Sequence, residues 1–209
     1  YFSASLPAAS LSLSNLTVTG FGHRTLDGGA ILISGDVAVS LSLVTFEDNR
    51  GADGGSLWVS GNSLGMRLDR CVFLRSVASG SGGGIFVEQD VSDVIVQAST
   101  FDNCRSLSSQ AGGGAIYMGM RNHGLSIMNS TFSNSIATGV GGALFFNQNN
   151  SDISVESSTF TNCSAQYYGG ALYFYQSNSN VSVESSTFTN CSAQNNGGAL
   201  SFFQSNSNV

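Results

Sequence analysis

The chain has 209 residues, 41% hydrophobic and 10% charged, with a formal charge of −6; its seven basic residues are all Arg. So sparse and net-negative a charge excludes a nucleic-acid partner, and no run approaches the roughly 18 apolar residues of a spanning helix, so no membrane insertion is expected in this segment. The apolar residues fall in short alternating runs, which suits a β-rich core.

In chain order, the opening residues lack the charged and apolar regions of a signal peptide, and Pro7 is the single proline. Glycine pairs then recur at Gly28-Gly29, Gly54-Gly55, Gly82-Gly83, Gly113-Gly114, Gly141-Gly142, Gly169-Gly170 and Gly197-Gly198, each opening an apolar run. They are answered by Phe46, Phe73, Phe101, Phe132, Phe160 and Phe188. The distance from the second glycine to the next phenylalanine is 17 residues once and then 18 five times. A fixed period near 28 residues predicts a stacked solenoid. Length variation is confined to the return loop, and the longest, between Phe101 and Gly114, is predicted to bulge outward over 106–111. The last residues, Ser205 to Val209, stop where another repeat would begin. Neither end shows a polar cap, so 1–209 is expected to be a single repeat domain cut from a longer protein.

One unit shows the local logic. Residues 153–180 and 181–208 differ at five of 28 positions, and each holds two runs with period-2 alternation, GGAL and the segment leading to the phenylalanine. No unit carries a 3.6 period. Short strands repeated in tandem predict an all-β parallel β-helix of about seven coils, each strand pairing with its own copy about 4.8 Å away. Parity assigns five inward columns, among them Ile31, Leu57, Ile85, Ile116, Leu144, Leu172 and Leu200, and the phenylalanines. After each phenylalanine come Asp48, Arg75, Asn103, Asn134, Asn162 and Asn190, where stacked Asn side chains can bond to one another and to turn backbone. The glycine pairs are expected to serve a bend with positive φ. The same parity puts Trp58, Phe86, Tyr117, Phe145 and Tyr173 outward, with Tyr175 in the next outward column. A bare aromatic stripe of that length is unusual. Three readings stay open: contact with another protomer or domain, stacking against sugar rings, or a ladder that supports the sheet.

The unit F-T-N-C-S-A followed by G-G-A-L resembles the repeat of the chlamydial polymorphic outer-membrane proteins, which is built on paired GGA(I/L/V) and FxxN tetrapeptides. The resemblance covers roughly 15–209. Phe46-Glu47-Asp48-Asn49 is a strict FxxN; elsewhere the Asn position holds Ser76, Cys104, Ser135, Cys163 and Cys191, more like the eukaryotic or environmental variants. The resemblance implies a right-handed β-helix, secreted or displayed at the cell surface, with a structural or adhesive role and no catalytic residue.

Cys163 and Cys191 lie in one column on adjacent coils, close enough for a disulfide, although stacked core cysteines usually remain small hydrophobes. His23 and His123 stand apart from the cysteines, so no metal site is expected; nor is any other cofactor. Sequons stand at Asn15, Asn129, Asn149, Asn162, Asn180 and Asn190. Asn162 and Asn190 belong to the turn column, so Asn15, Asn129, Asn149 and Asn180 are the expected glycosylation sites of an extracellular chain. Arg67, Asp69 and Arg70, with Gln97 beside them, form the only dense charged cluster, and Glu156 stacks on Glu184. Near-identical coils are a poor place for singular catalytic residues. The expected function is therefore a non-enzymatic extracellular rod, part of an appendage, filament or adhesin stalk, touching other protomers or glycans through the stripe. The alternative is a carbohydrate-binding or carbohydrate-cleaving β-helix.

Overall fold

A computed structural model describes residues 2–4, 9–22, 25–61, 63 and 65–209; Pro7 and His23 lie outside the described residues. Every regular element among these is a β-strand, and every pairing is parallel and one coil apart. The chain winds through about seven turns of a solenoid. One sheet stacks eight strands that begin with Phe2–Ala4 and Ile31–Ser34 and end with Leu172–Gln176 and Leu200–Phe202. These are the runs opened by the glycine pairs. A second sheet is built on Ala9–Thr19 and Val37–Glu47, which are continuous; later coils break the same path in two, as in Ser151–Glu156 and Thr159–Thr161. The third sheet consists of two-residue strands from Arg50–Gly51 to Ser192–Ala193.

Register is in phase from coil to coil. Ile85 pairs with Ile116, Ile116 with Leu144, and Leu144 with Leu172, so the inward columns inferred from parity are real columns. Phe46, Phe73, Phe101, Phe132 and Phe160 are fully buried. Their rings stack in parallel at 4.6–4.8 Å. Phe146, Phe174 and Phe202 form a second inward stack at 4.5–4.6 Å. Rings spaced by the strand repeat gain stacking energy along with burial.

The two glycines of each pair do different work. The first has φ near +60° in every coil, from 61° at Gly28 to 68° at Gly113, a conformation that a Cβ disfavours. The second is fixed by space: a Cβ on Gly142 would sit 2.0 Å from the Gly170 carbonyl oxygen of the next coil. The column after the phenylalanines also shares a left-handed backbone, with φ of 52–54° from Asp48 to Asn190. That conformation explains why Asn and Asp recur there. The side-chain ladder expected in this column is partial and exposed. Asn162 Nδ2 donates to Asn134 Oδ1 at 3.3 Å, whereas Asn134 Nδ2 leaves the column and donates to Asp102 at 2.8 Å.

The continuous polar ladders are elsewhere. Asn122, Asn150 and Asn178 are buried, and each Asn Oδ1 of the column accepts a backbone N–H from the preceding coil. Nδ2 of Asn150 donates to Gly119 O at 2.9 Å and to Asn178 Oδ1 at 3.1 Å. A serine column behaves likewise: Oγ of Ser99, Ser130, Ser158 and Ser186 accepts the N–H of the residue one coil back, and each hydroxyl donates to a carbonyl two residues earlier. Cys71 heads this column, with its N–H on Ser99 Oγ at 3.0 Å. Both ladders satisfy backbone donors at corners where no strand partner is present.

Candidate functional site

The outward aromatic stripe is continuous, but its exposure departs from the expectation of a solvent face. Trp58, Phe86, Tyr117 and Tyr175 are half-buried, whereas Phe145 is 5% and Tyr173 4% exposed. Two neighbours cover them. The long return loop folds onto the stripe, with Ser108 Oγ accepting the N–H of Gln110 and Ala111 at 3.3 and 3.2 Å. Ala111 is then held against the next coil, where a Cβ on Gly139 would lie 1.7 Å from its carbonyl oxygen. The predicted bulge is thus shorter than 106–111, because Ser106 is a buried strand residue. Tyr168 supplies the second cover, its ring 5.8 Å from that of Tyr173. Val140, Phe145 and Tyr173 consequently form a small apolar core outside the solenoid wall, with Tyr167, Tyr168 and Tyr175 packed on it.

Ring geometry shows how the stripe is organised. Trp58, Phe86 and Tyr117 stack in parallel, at 6.4 and 4.6 Å between successive centroids. The order breaks at Phe145, which meets Tyr117 edge-on at 76° and 5.2 Å. Tyr173 and Tyr175 tilt by 42°, and Tyr175 then stacks on the exposed Phe203 at 5.6 Å. The break opens a cleft of about 370 Å³ between the loop, Asn147 and the tyrosines. Its lining carries no Asp, Glu, Lys, Arg or His. Asn147 Nδ2 donates to the Tyr117 hydroxyl at 2.9 Å. Among the described residues, the hydroxyls of Tyr168, Tyr173 and Tyr175 have no hydrogen-bond partner. Asn122 Nδ2 is the one unpartnered buried side-chain polar atom among the described residues, so the Tyr173 hydroxyl opens onto the cleft. Burial, reinforced by the neighbouring Tyr175 and Tyr168, pushes the Tyr173 phenol up to about 12. It is a neutral donor at any physiological pH. Burial also raises Tyr117, against the hydrogen bond from Asn147; Asp53 and Glu88 raise it further.

The family described as right handed beta helix region matches residues 27–209. The chain belongs to the right-handed β-helix family. No curated protein and no solved structure matches it.

The remaining candidates take their places on this right-handed β-helix. All four cysteines, Cys163 and Cys191 among them, are free thiols in this structure. The two thiols act on each other: Cys191, with burial, pushes the Cys163 thiol up, and Cys163 lowers that of Cys191. Each sulfur also approaches a carbonyl of the preceding coil, Cys163 Sγ to Phe132 O at 3.6 Å and Cys191 Sγ to Phe160 O at 3.5 Å. Cys104 is fully buried and its thiol is pushed up to about 12 by burial, which makes it a poor nucleophile.

Asn15, Asn129, Asn149 and Asn180 are all exposed, but so are Asn162 and Asn190. Asn180 is moreover tied into a ladder of its own, donating to Asp152 at 2.9 Å and accepting from Asn208 at 2.9 Å. Hydrogen bonding therefore does not separate Asn180 from Asn162 in the way the column argument required. On the second sheet, Arg67 bonds Gln97 at 2.8 Å and Arg70 pairs with Asp69 at 3.0 Å. Glu156 and Glu184 are in register and exposed. Among the described residues no group of three His, Cys, Asp or Glu side chains converges.

Proposed function

We propose that this right-handed β-helix is a non-enzymatic extracellular rod of the polymorphic outer-membrane type, a segment of a surface appendage, filament or adhesin stalk. Its contacts with other protomers or with glycans run along the aromatic stripe. The observation that carries the reading is the division of labour between faces. Polar side chains at the corners form axial ladders that bind coil to coil, while the inward columns stay apolar throughout. The outward stripe stays aromatic over five successive coils, through Trp58, Phe86, Tyr117, Phe145 and Tyr173, and gives way to Ser201. Its rings are of the kinds that dominate binding surfaces, because they offer large area at low entropic cost.

The test uses the whole chain displayed on beads or cells. The Trp58→Ser/Phe86→Ser double variant changes half-buried positions outside the solenoid core. It should abolish self-association or surface attachment while shifting Tm by no more than about 5 °C. Turnover of a polysaccharide that is lost in Asp69→Asn would instead establish the carbohydrate-cleaving alternative and sink the rod reading.

A further inference from the structure

The cleft beside Tyr173 has features that a mere packing surface does not need. Tyr173, 4% exposed, carries a hydroxyl with no partner among the described residues, and it lines an opening rather than a wall. Leaving a polar group unpaired is costly unless water or a ligand completes it. The Tyr168 and Tyr175 rings lie 5.8 and 6.2 Å from that of Tyr173, and all three line the cleft, so donor-acceptor groups and aromatic faces share one opening. Asn147 uses its Nδ2 on Tyr117, which leaves its carbonyl oxygen available.

From this arrangement we propose that the cleft is a binding site for a neutral saccharide. Sugar rings present an apolar C–H face to aromatic rings and an equatorial rim of hydroxyls to neutral hydrogen-bonding groups. The cleft supplies both on adjoining sides, and its volume of about 370 Å³ suits one or two sugar rings; ligand clefts run roughly 300–1,000 Å³. Charge selects within the class. The lining has no cation to pair with a carboxylate or sulfate, and Asp53 and Glu88 lie near enough to act on Tyr117. Uronates and sulfated sugars are therefore disfavoured. The same acidic surroundings make a quaternary ammonium the serious competitor, since aromatic rings also hold such cations.

This inference rests on the stripe being a contact surface, and it names the ligand there. The experiment is calorimetric titration of the 209-residue chain with neutral oligosaccharides of glucose, galactose, mannose and N-acetylglucosamine, with oligogalacturonate and with choline. At least one neutral sugar should bind. Tyr168→Asn, the residue that Asn196 already places at the same position one coil on, should weaken it about tenfold, as should Tyr175→Phe, which keeps the ring and removes the hydroxyl. Both variants should keep the parent Tm within a few degrees. No neutral sugar bound at concentrations on the order of 10 mM would overturn the proposal. So would a preference for choline or oligogalacturonate, or binding indifferent to both tyrosine variants. If attachment is lost in the Trp58→Ser/Phe86→Ser variant while no sugar binds, the adhesive reading survives and the saccharide site falls.

Discussion

At the residue scale, the second glycine of each pair decides whether adjacent coils can meet at all. Gly142 has the Gly170 carbonyl oxygen and the backbone of Ser164 where its Cβ would be, at 2.0 and 2.7 Å. Both neighbours are backbone, so neither can swing aside. Gly142→Ala should therefore cost about 3 kcal/mol or more, at the upper end for overpacking. Gly198→Ala is the internal control, because its nearest heavy atom, Cys191 O, lies 3.5 Å away. It should be near neutral in the same 209-residue chain. Equal losses in the two variants, measured by chemical denaturation, would show that interlayer contact is not what the glycine provides.

At the scale of the element, the asparagine corner shows how polar groups hold a solenoid whose strands are short. Asn150→Ala would strip the Asn122 N–H and the Gly119 carbonyl of a partner in a buried corner. An unpaired buried group costs roughly 1–3 kcal/mol, so the variant should lose about 2–4 kcal/mol. A change below 0.5 kcal/mol, about the scale of a surface substitution, would mean that water replaces the side chain. This ladder was legible in principle: Asn122, Asn150, Asn178 and Asn206 all follow the first glycine of their coils by nine residues. It was hidden because the segment reads as a polar loop. Parity did give the inward columns and the coil period, since both follow from alternation alone. Parity could not give the cleft. Whether an outward ring is bare depends on what the return loop and Tyr168 cover, and those contacts join segments that no periodic rule relates. Tyr168, which stands where the next coil has Asn196, packs on Tyr173 of the same chain.

Across the whole molecule, stability should grow with coil number, because each coil touches little besides its two neighbours. Residues of the final coil have a paired neighbour on one side only. Phe188 and Val183 are only partly buried although their counterparts Phe160 and Val155 are fully so, and Phe202 is 40% exposed beside the buried Phe174. Appending one further copy of residues 181–208 to the chain should bury these side chains against in-register partners. A few kcal/mol of added burial corresponds to about 2–4 °C in Tm for each kcal/mol in a chain of this length. The lengthened chain should melt in one transition, at a higher temperature, with Phe188 and Val183 amides protected to the level of Phe160 and Val155 in hydrogen exchange. Two separate transitions, or no rise in Tm, would show that the coils fold as uncoupled units. In that case the stacked phenylalanines and the polar ladders would not transmit stability along the rod.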